Sequence, residues 1–204
     1  MLNANELKLP SISNELTDKL FKTVLSYDFM KDGVSNAIVC RGLRDIDIES
    51  VQSYHEVTKK TKAIYKVFSI SEELQNAIKN EMTDVLFPFS KHELYFQRIE
   101  GGEAVSTHRD CNRFTHLLYN ISADEATTNF HNKLIYDEDR IAFSIDEVTE
   151  PIETYVFSPF KWYLFNSRKV HSVINITKPR VAICIDIDID YNEVYNHFVD
   201  IRLI

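Results

Sequence analysis

Ten consecutive residues near the end of the chain, from Arg180 to Ile189, alternate between large aliphatic side chains and small, acidic or basic ones. This period of two predicts a β-strand, because successive side chains of a strand point to opposite faces. Valine and isoleucine fill one face of the predicted strand. The other face carries Arg180, Ala182 and Cys184, so the arginine has small neighbours that leave room for a ligand.

Helical patterns precede this strand, and further short strands lead up to it. Apolar residues at helical spacing predict an amphipathic helix over about 13–27 and a second helix that begins near Ser69 to Glu72 and ends before Pro88. Further strands are predicted at 93–99, 114–121, 155–157, 162–165 and 170–174. Helices followed by many short strands favour an α+β fold with helices packed outside a β-sandwich or barrel.

No stretch of the sequence resembles a linker, a repeat or a low-complexity tract, so a single domain is predicted over 1–204. It divides into a helix-rich part at 1–90, a strand-rich core at 91–190 and a C-terminal helix or tail at 191–204. The 204 residues suffice for a sizeable core, and 44% hydrophobic with 26% charged residues is ordinary for a soluble globular protein.

Charge and cysteine content narrow the possible partners and compartments. The net charge of -8 argues against a broad nucleic-acid surface, which would need a basic stripe. The three cysteines are widely spaced and form no CxxC pair, which disfavours a disulfide framework or structural zinc and favours a reducing compartment. No signal-peptide profile and no apolar run of about 20 residues is present. We therefore expect a cytoplasmic protein without a membrane partner.

Two histidines and one carboxylate form a candidate metal site. His108 and Asp110 lie two positions apart, so on a strand they would share a face, and His171 lies in a short apolar segment that also suits a strand. Two histidines and a carboxylate form the ligand set of open-sided Fe(II) sites, with positions left for O2 and a chelating co-substrate. For the His-x-Asp triplet alone, a surface turn after Gly101-Gly102 is the simpler interpretation.

Arg180 adds a candidate anion contact to that site. Residues 175–179 read as a turn between two antiparallel strands, so we expect Arg180 to lie beside the strand of His171. A guanidinium binds a carboxylate through two parallel hydrogen bonds, which are strong when desolvated. The alternative interpretation is an exposed arginine at the start of a strand.

The order of these residues resembles the Fe(II)- and 2-oxoglutarate-dependent dioxygenases, over positions 95 to 189. The segments YFQRIEGGEAVSTHRD and WYLFNSRKVHSVINITKPRVAICIDI carry the resemblance. It implies a double-stranded β-helix, the cupin-like jelly roll, with N-terminal helices packed outside. It further implies His108, Asp110 and His171 as iron ligands and Arg180 as the partner of the distal carboxylate of 2-oxoglutarate.

Within that superfamily, HRDCNRFTHLLYNI is similar to the aspartyl/asparaginyl β-hydroxylase and proline-hydroxylase-like branch. The similarity implies Arg113 and His116 as further co-substrate contacts, although both follow His108 more closely than in some β-hydroxylases. A second departure is Ala182, which stands where many members have serine or threonine. One hydrogen bond to the co-substrate must then come from elsewhere.

The resemblance implies an oxygenase that uses Fe(II), 2-oxoglutarate and O2 and releases succinate and CO2. The expected reaction is hydroxylation of a C–H bond in an amino acid, a peptide side chain or a small polar metabolite, with no nucleic-acid partner. Two alternatives remain: a cupin-like metalloprotein that does not use 2-oxoglutarate, and a non-enzymatic β-sandwich interaction domain in which the three ligand residues lie far apart. The oligomeric state stays open.

Overall fold

The structure is a computed structural model that describes residues 2–26, 65–68, 72–86, 89, 92–99, 101–102, 104–110, 114–122, 126–136 and 143–204. Within these residues the helices are α1 (Asn14–Ser26), α2 (Glu72–Glu81), α3 (Thr83–Leu86) and α4 (Tyr191–Asp200). The strands are β1 (Ala4–Leu7), β2 (Tyr65–Phe68), β3 (His92–Ile99), β4 (Val105–His108), β5 (Thr115–Asn120), β6 (Thr127–Phe130), β7 (Glu153–Val156), β8 (Trp162–Asn166), β9 (His171–Ile174) and β10 (Arg180–Ile187).

The strands form two antiparallel sheets. One has the order β1-β8-β5-β10-β3-β2 and the other the order β4-β9-β6-β7. Along the chain, β3 to β10 pass back and forth between the two sheets, so that four of them lie in each. This arrangement is a jelly roll, and it confirms the predicted double-stranded β-helix of the α+β class.

The predicted alternation of β10 separates two apolar cores. An outer core lies between the six-stranded sheet and the helices, and it contains the β10 residues Val181, Ile183, Ile185 and Ile187 together with Leu20 of α1, Ile78 of α2 and Val194 of α4. An inner core lies between the sheets and contains Ala182 and Cys184. The helices therefore cover the outside of the barrel, as predicted, and Arg180 shares the inner face of β10.

The expected hairpin between the His171 strand and the Arg180 strand is wrong. β9 pairs with β4 and β6 in the four-stranded sheet, whereas β10 pairs with β3 and β5 in the six-stranded sheet. The segment 175–179 therefore crosses from one sheet to the other, with Asn175 at a left-handed φ of 59°. His171 and Arg180 consequently approach the space between the sheets from opposite sides.

The helices begin and end close to the predicted positions, with one difference. The apolar stripe that ends before Pro88 forms two helices, α2 and α3, because the chain turns at Met82. There the Thr83 hydroxyl donates to the carbonyls of Lys79 and Asn80, which competes with regular helical bonding. At the C-terminus, Asp190 caps α4 by accepting from the Asn192 backbone N–H. None of the helices in the described residues combines the length and apolarity needed to cross a membrane.

The turn between β3 and β4 is hydrogen-bonded to the segment 175–179, which crosses between the sheets. Gly102 has a left-handed φ of 83°, and its N–H donates to the Ile176 carbonyl at 2.6 Å. A Cβ atom on Gly101 would lie 2.8 Å from the Thr177 carbonyl oxygen, closer than side chains tolerate. This contact holds the segment that delivers Arg180 to the inner face.

We expect Gly101→Ala to lower the free energy of unfolding by about 1–3 kcal/mol, because the new methyl group forces the two turns apart. Urea unfolding followed by circular dichroism measures the loss. The comparison is Gly102→Asn, for which we expect a smaller loss because asparagine tolerates a left-handed φ. A Gly101→Ala protein as stable as the parent would show that the two turns separate without cost.

Candidate metal centre

The three predicted ligand residues meet at one end of the four-stranded sheet. His108 ends β4 and His171 begins β9, and the two lie directly opposite each other in the antiparallel pair. Asp110 follows two residues after β4 ends. One ligand atom from each of the three residues lies within 4.8 Å of the other two, and all three residues are buried. The interaction-domain alternative expected them far apart, which the structure contradicts.

Backbone contacts fix the ring of His171. Its Nδ1 lies 2.8 Å from the Lys169 carbonyl oxygen, which can only accept, so Nδ1 carries the proton and Nε2 presents its lone pair. The ring packs against Phe165 edge-on and against the ring of His108, whose centroid is 4.3 Å away. A hydrogen bond from the second ring nitrogen is the usual way in which proteins orient a histidine ligand.

Asp110 is held by the loop that leads into β9. Its N–H donates to the Ser167 carbonyl at 2.9 Å, and Arg168 Nη1 donates to its carbonyl oxygen at 3.4 Å. Burial raises the pKa of the Asp110 carboxyl well above its usual range, the nearby Asp186 raises it further, and Arg168 opposes both effects. A cation at this position would favour the ionised carboxylate, because its positive charge would offset the cost of burying a negative charge.

The donor set fits a divalent transition metal. His108 Nε2 lies 3.8 Å from Asp110 Oδ1. Two ligand atoms that lie at right angles on one side of an ion, each about 2.1 Å from it, are about 3.0 Å apart, so the ligand atoms would draw together by about 1 to 2 Å on binding a metal. Two imidazoles and one carboxylate on one side of an ion suit Fe(II) with open positions.

Arg180 lies within the interior of the barrel. The residue is buried, and the central carbon of its guanidinium lies 5.5 Å from the centre of the Phe157 ring, which belongs to the inner core. On the next residue, the Val181 N–H donates to the Ser122 hydroxyl, which fixes the start of β10. The guanidinium is therefore held on the inner face by packing over an aromatic ring. This is the place where a carboxylate between the sheets would meet it.

Of the two further co-substrate candidates, Arg113 and His116, the structure describes only His116. Arg113 lies outside the described residues. His116 is buried on β5, directly opposite Asp186 of β10, and its ring stacks on Phe165 at 4.4 Å. Its Nδ1 lies 2.9 Å from the Ser167 hydroxyl. His116 therefore adjoins the loop that holds Asp110, and its contact with a co-substrate stays a prediction.

Sequence reasoning missed Thr128 on β6. It lies directly opposite Val173, a residue of the inner core, so its side chain also faces the space between the sheets. Thr128 is fully buried, and within the described residues its hydroxyl has no hydrogen-bond partner. Buried hydroxyls in proteins are nearly always paired, so a ligand or a water in the interior would complete the bonding of this one. A threonine in a strand gives no sequence signal of such a role.

The acidic alternation at the end of β10 does not form a second metal site. Asp186 faces inward near Asp110, Asp188 is exposed, and Asp190 caps α4. In the described part of the chain, the group of three side chains placed so that they could hold a metal ion is the one already named.

Comparison with known proteins shows that the chain has a known fold. A prolyl hydroxylase from Trichoplax adhaerens, solved with a peptide fragment of the hypoxia inducible factor oxygen degradation domain, is 16% identical and covers 95% of this chain and 86% of its own, with a TM-score of 0.53. The chain has the fold of that prolyl hydroxylase. A prolyl-4-hydroxylase from Pseudomonas putida is 12% identical over 92% of this chain and 93% of its own, with a TM-score of 0.49. No protein-family model and no curated protein matches the sequence.

Proposed function

We propose that this protein is an Fe(II)- and 2-oxoglutarate-dependent oxygenase. The observation that carries the proposal is the placement of a buried His-Asp-His group and a buried arginine around one interior space. His108, Asp110 and His171 would hold the metal at the end of the barrel. Arg180, from the opposite sheet, would bind the distal carboxylate of 2-oxoglutarate. The shared fold of the Trichoplax adhaerens prolyl hydroxylase supports the same reaction class.

Each group has a defined task in the proposed reaction. Fe(II) and 2-oxoglutarate supply the oxidising chemistry, in which O2 is consumed, succinate and CO2 are released and a substrate C–H bond is hydroxylated. The Lys169 carbonyl keeps His171 in the tautomer that can bind metal. The inner core excludes water from the space between the sheets, which strengthens every charge interaction there. No side chain is required as a general base.

The burial of Arg180 favours this function over a cupin-like metalloprotein without 2-oxoglutarate. A guanidinium on the inner face of the barrel presents its donors in a planar fork that matches the two oxygens of a carboxylate. A metal site that acts alone has no use for such a group. A dicarboxylate that chelates the metal at one end and meets Arg180 at the other would use both.

We infer that Thr128 replaces the hydroxyl that Ala182 lacks. In the pairing of β6 with β9, Phe130 lies opposite His171 and Thr128 lies opposite Val173. The Thr128–Val173 pair is the next inward-facing pair along the two strands, farther from the proposed metal. The Thr128 hydroxyl would donate to a co-substrate carboxylate in this space. Phe130, on the same face of β6, packs beside His171 and forms the wall next to the metal.

Thr128→Val should weaken 2-oxoglutarate binding by about 10-fold, near the lower end of the value of one hydrogen bond to a charged group. Valine keeps the shape of threonine, so metal affinity and folding should not change. Titration of the metal-loaded protein with 2-oxoglutarate measures the effect. Thr127→Val, on the other face of the same strand, is the control. Equal affinity in the Thr128 and Thr127 variants would remove Thr128 from the co-substrate site.

One spectroscopic experiment separates the candidate functions. The protein is loaded with one equivalent of Fe(II) without oxygen, and 2-oxoglutarate is then added. The proposed function predicts a visible metal-to-ligand charge-transfer band that saturates with 2-oxoglutarate. Stoichiometric iron binding without the band would favour the cupin-like alternative. Failure to bind iron in a folded protein would reject both metal-dependent functions.

The substrate class proposed from the sequence is an amino acid, a peptide side chain or a small polar metabolite. The Trichoplax adhaerens neighbour was solved with a peptide, so a peptide fits this fold.

A further inference from the structure

Glu153 of β7 joins the two sheets where their edge strands β1 and β7 meet. Its Oε2 accepts from the Asn3 backbone N–H and from the Tyr155 hydroxyl, each at 2.9 Å, and its Oε1 accepts from the Asn3 side-chain amide at 2.8 Å. Burial, the hydrogen bond to Glu153 and the charge of Glu153 raise the pKa of Tyr155 to about 12, so this hydroxyl stays a donor at neutral pH. β7 belongs to the four-stranded sheet, and Asn3 directly precedes β1 of the six-stranded sheet. One carboxylate therefore fixes both the backbone and the side chain of Asn3 against the opposite sheet.

Asn3 also holds Asn166, the last residue of β8. The Asn3 carbonyl accepts from the Asn166 N–H at 2.9 Å, and Asn3 Oδ1 accepts from Asn166 Nδ2 at 3.3 Å. The carboxylate of Glu153 has only acceptors, so Asn3 Nδ2 must face Glu153 and Asn3 Oδ1 must face Asn166. The single side chain of Asn3 thus supplies a donor to β7 and an acceptor to the end of β8.

Asn166 begins the turn that orients two of the proposed metal ligands. Its carbonyl accepts from the Lys169 N–H at 3.3 Å, which closes the turn. Within it, the Ser167 carbonyl accepts from the Asp110 N–H at 2.9 Å, and the Lys169 carbonyl lies 2.8 Å from Nδ1 of His171. This turn therefore contacts ligands that come from the ends of two different strands, and a shift of the turn would move both.

We propose that Asn3 is a positioning residue for the metal centre. Fixed by Glu153, it holds Asn166 and so sets the position of the turn on which the Asp110 backbone and the His171 ring depend. Every link from Glu153 to these two ligands is a hydrogen bond of 3.3 Å or less. The inference rests on the proposed function, since it gives Asn3 a task at the metal centre that this function requires.

Asn5 offers a matched comparison on the same short strand. It is half-buried like Asn3, and its side-chain amide also makes two hydrogen bonds, to the Tyr191 hydroxyl at 2.7 Å and to the Leu2 carbonyl at 3.2 Å. These contacts lead to α4 and to the residue before Asn3, whereas those of Asn3 lead to the turn after β8. Truncation of either asparagine should lower stability by a similar amount, and only truncation of Asn3 should change the metal centre.

Co(II) is the probe for the first test, because its visible bands report the geometry of its ligands. Asn3→Ala should weaken Co(II) binding by about 3- to 10-fold, less than the roughly 10- to 100-fold that loss of a direct outer contact to a ligand costs. The bands of the bound Co(II) should change as well. Asn5→Ala should match the parent protein in affinity and spectrum, and thermal unfolding compares the stability of the two variants. Equal Co(II) affinity in the Asn3 and Asn5 variants would overturn the proposal.

Glu153→Gln tests the same connection at its other end. A glutamine amide has one oxygen in place of two, so it cannot accept from both nitrogens of Asn3, and Co(II) binding should weaken by a similar factor. The double variant with Asn3→Ala should bind Co(II) no more weakly than either single variant, because both changes break one connection. Factors that multiply in the double variant would contradict the proposal. If Asn3→Ala does not fold, the comparison of Glu153→Gln with Asn5→Ala decides the question.

Hydrogen exchange in the metal-free protein gives a readout that needs no metal. The Asp110 N–H, which donates to the Ser167 carbonyl, should exchange faster in Asn3→Ala than in the parent or in Asn5→Ala, because the turn opens more often. NMR of the three proteins measures this single amide. An Asp110 exchange rate that is the same in the Asn3 and Asn5 variants would show that the turn keeps its position without Asn3, against the proposal.

The outcomes for the role of Asn3 and for the proposed function are separable. Weaker Co(II) binding in Asn3→Ala than in Asn5→Ala, in a protein that shows no charge-transfer band with Fe(II) and 2-oxoglutarate, would keep the positioning role and reject the oxygenase. A charge-transfer band in the parent protein, together with equal Co(II) affinity in the two variants, would keep the oxygenase and reject the role of Asn3.

Discussion

His171→Ala is expected to lower the affinity for Fe(II) by at least about 100-fold, since loss of an outer contact to a metal ligand already costs about 10- to 100-fold. The substitution removes the Nε2 lone pair that the Lys169 carbonyl keeps available. Two ligands from one short segment, His108 and Asp110, would remain. The charge-transfer band and any turnover of 2-oxoglutarate to succinate should disappear with the metal.

Iron binding is best measured by anaerobic titration, with circular dichroism to show that the variant is folded. The control is His197→Ala on α4, a partly exposed histidine that lies outside the metal centre. It should bind iron like the parent protein. A folded His171→Ala protein that still binds one equivalent of Fe(II) tightly would remove His171 from the ligand set.

The inner and outer faces of β10 are predictable from the sequence because alternation is a local property of a strand. Val181 and Ile183 lie in the outer core and Ala182 in the inner core, as their spacing predicts. The partner of a strand is not a local property. The short segment 175–179 is compatible with a hairpin and with a crossing between sheets, and the choice depends on which neighbours cover each apolar face. This is why the predicted hairpin was wrong while the faces were right.

In the candidate site, too, local features were predictable from the sequence and contacts between distant segments were not. Residue type and spacing suggested the three ligand residues, and the structure places them together. The contacts that orient them are largely invisible in the sequence, because the carbonyls of Lys169 and Ser167 belong to the backbone and every residue has one. Thr128 was missed for a related reason. Its proposed role rests on its burial and on a hydroxyl that lacks a hydrogen-bond partner among the described residues, and burial depends on both sheets.

Arg180→Ala is expected to weaken 2-oxoglutarate binding by about 30-fold or more, because truncating one member of a buried hydrogen-bonded charge pair costs about 2–5 kcal/mol. Fe(II) affinity should stay as in the parent, since Arg180 starts a strand of the other sheet and supplies no ligand. This separation of the two affinities distinguishes a co-substrate residue from a residue needed for folding, which would lower both.

The matched control is Arg98→Ala. Arg98 lies on β3 directly opposite Val181, so it faces away from the interior that Arg180 enters. Titration of each iron-loaded variant with 2-oxoglutarate, read from the charge-transfer band, gives the 2-oxoglutarate affinity of that variant. The Arg98 variant should match the parent, while the Arg180 variant should need a far higher concentration for the same band. Equal 2-oxoglutarate affinity in both variants would exclude Arg180 as the carboxylate anchor.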